Sequence, residues 1–274
     1  MKRFPLVAAL AAAIAAAAPA SAELLVAPTR LVLSPQQRSG ELVLVNKGDE
    51  AAAFRLSVEN RRMRDDGSLE AAEEAQPGEL FADDKIRFSP RQLVLQPGAR
   101  QTVRILASTP SSLPEGEYRS HLRLMSAPIS AARPDADAGR DPEDNSLSIQ
   151  LVAIRSITVP IILRKGSLDA SVTVDAAALS GDATNQFILR MAREGDRSTY
   201  GDLRFFVEGE DEPAWMVRGV AIYTPNTSRD VVLAMPEEVT QRLSGKRVRI
   251  AYVATDRSDP ATLGDLIAEL TVDL

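Results

Sequence analysis

The segment LSIQLVAIRSITVPIILR, Leu147 to Arg164, limits the folds open to this chain more than any other. It holds eighteen residues of nearly unbroken apolar and β-branched sequence. An ordinary strand is about 5–6 residues long, and about eighteen apolar residues would also just suffice for a membrane-spanning helix. The helix is disfavoured: Gln150 and Arg155 would be costly near the middle of a bilayer, and Pro160 interrupts any helical ladder. The β-branched residues suit a strand. One face of that strand carries Leu147, Ile149, Leu151 and Ala153, then Arg155, then Ile157, Val159, Ile161 and Leu163. At about 3.3 Å per residue the run spans about 60 Å, and a sandwich strand needs about a third of that. Arg155 breaks the apolar face and Pro160 suits an edge or a bulge. The reading is a core half, Ile157 to Leu163, and a half that extends past the core, Leu147 to Ala153. An alternating edge of that kind is a hazard unless managed, and it is also what strand addition to a partner requires. The other reading is one long strand shared by two sheets.

Elsewhere the prevailing period is two. Glu41 to Val45 leads to the turn Asn46-Lys47-Gly48, and Phe54, Leu56 and Val58 alternate with Arg55 and Ser57. Asp66-Gly67 and Pro97-Gly98 mark tight turns. Seven further alternating segments follow Lys165-Gly166, and Pro236 to Leu243 reads as one short helical turn. Short alternating strands between turn residues predict an all-β chain of two sandwiches in series, residues 23–165 and 166–274.

The first residues read as an export signal. Lys2 and Arg3 precede an Ala-rich apolar core, and Ala20-Ser21-Ala22 is a small-residue cleavage site, so the mature chain is expected to begin at Glu23. Loss of this segment removes two basic residues and takes the net charge from −6 to −8. An acidic chain with interspersed signs argues against nucleic acid and anionic membranes as partners. There is no cysteine, which excludes disulfide scaffolds, zinc–thiolate sites and thiol nucleophiles.

Catalytic and metal motifs fail in turn. His121, the single histidine, sits in an alternating strand and reads as structural. No second histidine exists to share a metal, and there is no G-x-S-x-G elbow. The acidic run from Asp135 puts Gly139, Arg140 and Ser146 where a calcium loop needs a ligand, Gly and Glu. Asn226-Thr227-Ser228 matches a glycosylation sequon, and Trp215 is the only tryptophan, so no aromatic platform is formed. The expectation is a protein that is not an enzyme and carries no cofactor. The competing class is an exported adhesin or a ligand- or carbohydrate-binding module.

Several strings in the first half resemble the PapD-like periplasmic chaperones of chaperone–usher pilus assembly. They are Ala27 to Leu33, Leu42 to Asn46, Ile86 to Pro90, Leu95 to Gly98, Gln101 to Ile105 and Leu113 to Arg119, followed by a long loop and the long last strand. The resemblance covers about 140 residues, and the second half matches in length, β character and place alone.

The resemblance implies two immunoglobulin-like β-sandwich domains in series with a binding cleft between them. It also implies a mechanism in which the last strand of the first domain is lent to a pilin-like subunit that lacks its own. By position the donor residues are Leu147, Ile149, Leu151 and Ala153. Such a chaperone works in the periplasm and delivers its subunit to an outer-membrane usher. Its free donor edge also invites self-capping as a homo-oligomer. The family anchors the subunit's terminal carboxylate with an Arg on the first strand, matched here by Arg30, and a Lys on the last. Aligned on Arg164, the lysine falls at Pro160, which leaves Arg155 as the nearest basic candidate for the second anchor.

Overall fold

The computed structural model describes residues 24–127, 155–179, 186–255 and 264–274, with backbone alone for 176–179. The export signal and the donor residues Leu147, Ile149, Leu151 and Ala153 lie outside the described residues. No described helix is long and apolar enough to cross a membrane.

The first half holds β1 (Leu24–Ala27), β2 (Leu31–Leu33), β3 (Ser39–Asn46), β4 (Ala52–Glu59), β5 (Arg61–Met63), β6 (Leu69–Ala71), β7 (Ile86–Ser89), β8 (Gln92–Leu95), β9 (Arg100–Ala107), β10 (Gly116–Ala127) and β11 (Ser156–Lys165). One sheet runs β1-β3-β9-β7 and the other β2-β11-β10-β4-β8, while β5 and β6 form a separate hairpin. Alternation decides which side chains meet between the sheets. Leu42 and Leu44 of β3, Val103 and Ile105 of β9, and Phe54 and Leu56 of β4 all point inward.

Two segments change sheets, and each does so at a proline. Pro28 separates β1, paired to β3, from β2, which runs parallel to β11. Pro90 separates β7, paired to β9, from β8, paired to β4. Proline has no N–H to continue a ladder, so the strand ends there and resumes on the opposite layer. With β1, β3, β7 and β9 as strands A, B, D and E, and β4, β10 and β11 as C, F and G, the order is that of the immunoglobulin fold. Tyr118, near the start of β10, donates its hydroxyl to the Pro114 carbonyl at 3.0 Å. This is the tyrosine corner of that fold.

The second half holds β12 (Ala170–Leu179), β13 (Gln186–Gly195), β14 (Thr199–Val207), β15 (Trp215–Ile222), β16 (Ser228–Ala234), α1 (Glu237–Leu243), β17 (Arg247–Ala254) and β18 (Leu266–Asp273). Its sheets run β12-β13-β16 and β15-β14-β17-β18. They enclose Phe187, Leu189, Met191, Leu203, Phe205, Ile250 and Tyr252, and α1 adds Val239 and Leu243 to this core. The helix occupies the place read from the sequence, and among the described residues the regular structure is all β apart from it and a 3-10 turn.

The apolar run is explained by what covers it. Val159, Ile161 and Leu163 of β11 fill the first core. Ile162 points the other way and is also fully buried, against Val32, Met63, Ala221 and Tyr223. The last two belong to the second sandwich, so this stretch of β11 is covered on both faces and needs no polar alternation. Ile157, expected in the core, is instead 36% exposed: it is the second residue of β11, before the stretch Val159 to Leu163 that fills the first core. The expected bulge is absent from β11. Its register with β10 is unbroken from Ser156 to Lys165, with Pro160 opposite His121. Pairing with β2 begins only at Ile161, so the missing N–H of Pro160 removes no rung on that side.

Candidate functional site

Arg30 stands in the three-residue bridge between β1 and β2, where the chain crosses from one sheet to the other. It is 3% exposed, so it is not the surface residue an edge position would suggest. Its guanidinium lies 4.9 Å from the ring centre of Tyr200 and 5.3 Å from that of Tyr223, both in the second sandwich. A cation over an aromatic face is attracted by the ring quadrupole, more so where water is excluded. Arg119 approaches Tyr223 as well, at 4.3 Å, and donates to the Arg61 carbonyl at 3.0 Å.

A cleft of about 220 Å³ opens at this seam, lined by Arg30 and Arg164 from the first sandwich and by Ser171, Arg197, Ser198 and Tyr200 from the second. Three guanidinium groups outnumber the lining carboxylate of Asp265, and with the hydroxyls of Ser171, Ser198 and Tyr200 they favour an anion. Arginine suits a carboxylate in particular, since its planar fork can meet both oxygens.

The floor of the seam is held by Glu117. Its carboxylate accepts from Arg164 Nε at 2.9 Å, from the Ser198 backbone N–H at 3.0 Å and from the Ser198 hydroxyl. Thr224 Oγ1 adds a 3.4 Å contact. Burial alone would raise the Glu117 pKa, but the Arg164 charge, the Ser198 hydrogen bond and the Arg30 charge outweigh it and leave the carboxyl below its ordinary value. The group stays ionised and ties the two sandwiches together.

His121 is fully buried, and neither ring nitrogen has a hydrogen-bond partner among the described residues. Burial first, then the charges of Arg119, Arg61 and Arg30, lower its pKa to about 3. The imidazole is therefore neutral, packed edge-on to Tyr223 at 6.5 Å. Among the described residues no cluster of His, Asp or Glu could hold a metal ion.

The second expected anchor lies elsewhere. Arg155 is exposed, and its backbone exchanges two 2.8 Å hydrogen bonds with Ser126. It precedes by six residues Ile161, the partner of Leu31, so about 20 Å of extended strand separate it from Arg30. The structure does not bring Arg30 and Arg155 together. It brings Arg164 and Arg197 to Arg30 instead. Arg164 had a legible signal, since it shares a strand face with Pro160 and Ile162. Arg197 lies between β13 and β14, where no sequence motif pointed.

The outer edge of β11 is the other candidate surface. Among the described residues β2 pairs with it only from Ile161 to Leu163, and nothing pairs with that edge from Ser156 to Pro160. The apolar run continues upstream from this open stretch.

No family model matches the sequence, and no curated protein matches it. Solved structures do match. The chain is similar to chaperones of pilus assembly. One match comes from the complex of the chaperone CsuC with the tip subunit CsuE, of the archaic chaperone–usher Csu pili of Acinetobacter baumannii. It is 11% identical, covers 92% of this chain and 98% of that one, and has a TM-score of 0.45. The match from the Salmonella enterica SafA pilin–SafB chaperone complex is 14% identical, covers 94% and 99%, and scores 0.43. The E. coli chaperone DraB is 13% identical, covers 92% and 98%, and also scores 0.43.

Proposed function

We propose that this protein is a non-enzymatic periplasmic chaperone that captures pilin-like subunits by lending them a strand and delivers them to an outer-membrane usher. Residues 1–22 serve as its export signal, cleaved after Ala22, and residues 23–165 and 166–274 form its two domains. The observation that carries the reading is the edge of β11 at Ser156–Pro160, unpaired among the described residues and directly downstream of the alternating residues Leu147, Ile149, Leu151 and Ala153. A subunit missing one strand would pair with this edge and its upstream extension. The alternate apolar side chains would fill the subunit's open groove.

The cleft supplies the second contact. Arg30 and Arg164, with Arg197 across the seam, hold the subunit's terminal carboxylate and so set the register of the lent strand. Arg155, the residue before β11, adjoins the lent segment in sequence rather than the carboxylate. When no subunit is bound, pairing of two donor edges in a homo-oligomer would protect both.

The test is co-expression with a candidate pilin-like subunit and recovery of the complex from the periplasm. Ile149→Asp together with Leu151→Asp should abolish capture while circular dichroism and melting temperature stay unchanged. Undiminished capture by this folded double variant would exclude strand donation.

A further inference from the structure

The β5–β6 hairpin belongs to neither sheet of the first sandwich, and it reaches the second. At its base Arg62 grips Glu79 through Nε and Nη2, both at 2.7 Å, and the Arg61 carbonyl accepts from Arg119. Along its length Met63, 5% exposed, and Leu69 pack with Val32 and Ile162 on one side and Ala221 and Tyr223 on the other. At its tip the Asp65 carbonyl accepts the Asp230 N–H at 2.7 Å, and Asp65 Oδ1 makes a long 3.5 Å contact with Asn226 Nδ2. Gly67 has φ +82°, and a β-carbon there would lie 2.3 Å from the Arg229 guanidinium. Arg229 is itself held, donating from Nη1 to the Ala221 carbonyl at 2.6 Å.

The turn needs none of these outside contacts in order to reverse the chain. Its own bonds do that: Gly67 N–H to Arg64 O at 2.8 Å, Arg64 N–H to Ser68 O at 2.9 Å and Ser68 N–H to Asp66 Oδ1 at 2.8 Å. The tip contacts act between the sandwiches. Two domains joined by one short connection move relative to each other by default, and here the connection is the segment between β11 and β12. Glu117 and Ile162 hold the seam near that connection, and the attachment on β16 adds a separate restraint at the hairpin tip.

We propose that the β5–β6 hairpin is a strut that fixes the angle between the sandwiches, and through it the width of the cation-lined cleft. Asp65, Gly67 and Arg229 are its positioning residues. The strut stands independently of what the cleft binds; its consequence for subunit capture rests on the proposed function.

The chain has no cysteine, so Lys47→Cys and Gln241→Cys, both exposed and one in each sandwich, accept a unique pair of spin labels. Pulsed dipolar spectroscopy then reads the distance between sandwiches. Gly67→Asn tests the contact, since Asn tolerates a left-handed backbone while adding bulk toward Arg229. Gly98→Asn is the control: φ is +71° there as well, but no atom lies within 4 Å of the added β-carbon. Arg229→Ala removes the opposing partner and serves if Gly67→Asn fails to fold. The distance distribution should shift or broaden in Gly67→Asn and in Arg229→Ala, and should match the parent in Gly98→Asn. A parent-like distribution in folded Gly67→Asn and Arg229→Ala overturns the proposal, as does an equal change in Gly98→Asn. In parallel, binding of a synthetic alternating Val–Thr peptide with a free carboxylate is compared with binding of its amide. A widened distance without any acid-over-amide preference in the parent leaves the strut standing and removes the carboxylate role of the cleft.

Discussion

Glu117 and Arg164 face each other across the β10–β11 ladder, and their side chains meet at 2.9 Å with the carboxylate wholly out of solvent. The pair lies in the first sandwich, yet its remaining hydrogen bonds come from Ser198 and Thr224 of the second. A buried charge is tolerated where its lone pairs are all satisfied. Here that satisfaction depends on the two sandwiches being docked.

Removing the carboxylate should therefore cost more than a surface ion pair would. Glu117→Ala leaves Arg164, 13% exposed, facing an empty polar pocket, and the expected loss is about 3–5 kcal/mol of unfolding free energy. Urea denaturation measures it directly. Glu117→Ala/Arg164→Met, which removes both charges, should recover part of the loss. A loss below about 1 kcal/mol in the single variant, the range of an exposed pair, would show that the buried pair does not hold the seam.

Stability should fall as the medium is acidified, in two windows. His121 has a folded pKa of about 3, below its unfolded value of 6.5. The unfolded chain takes up this proton first, so stability is full above pH 6.5 and declines as the pH falls from there toward 3. The slope is about 1.4 kcal/mol per pH unit, or about 3 kcal/mol by pH 4.5. Glu117 acts in the same direction but lower, since its depressed carboxyl loses its contribution only below its unfolded value of 4.5. His121→Leu should flatten the upper window and leave the lower one. Urea midpoints of the parent and this variant between pH 7 and 4.5 make the comparison; parallel curves would mean that His121 is not the group that titrates.

What the sequence disclosed follows from where each residue's neighbours come from. Leu42, Leu44, Val103 and Ile105 meet within one sandwich, and simple alternation exposed them. Ile162 is buried by Ala221 and Tyr223, about sixty residues away, and no local pattern carries that. Arg30 is legible as a binding candidate through the resemblance of the first strand to the chaperone family, but its burial by two tyrosines of the other sandwich is not. Arg155 is the nearest basic residue to Pro160 along the strand, whereas proximity in the fold runs through Arg164 and across the seam to Arg197. Contacts within a layer are written in local periodicity; contacts between the sandwiches are not.

This division sets the last test, which separates anchoring from architecture. Arg30 packs against Tyr200 and Tyr223, so Arg30→Ala should lower stability by about 1–2 kcal/mol through the lost ring contacts and, on the proposed function, also weaken subunit capture. That variant alone cannot distinguish the two roles. Arg197 is half-buried in the cleft wall and lies in the connection between β13 and β14, so Arg197→Gln should keep the melting temperature within about 2 °C of the parent. Loss of one charge-assisted hydrogen bond to a carboxylate is worth about 1.5–3 kcal/mol, roughly a ten- to hundredfold weakening of subunit binding, measurable by titration calorimetry. A subunit bearing a C-terminal amide should bind the parent and Arg197→Gln equally. If Arg197→Gln weakens the amide and the acid alike, the residue acts on the seam and not on the carboxylate.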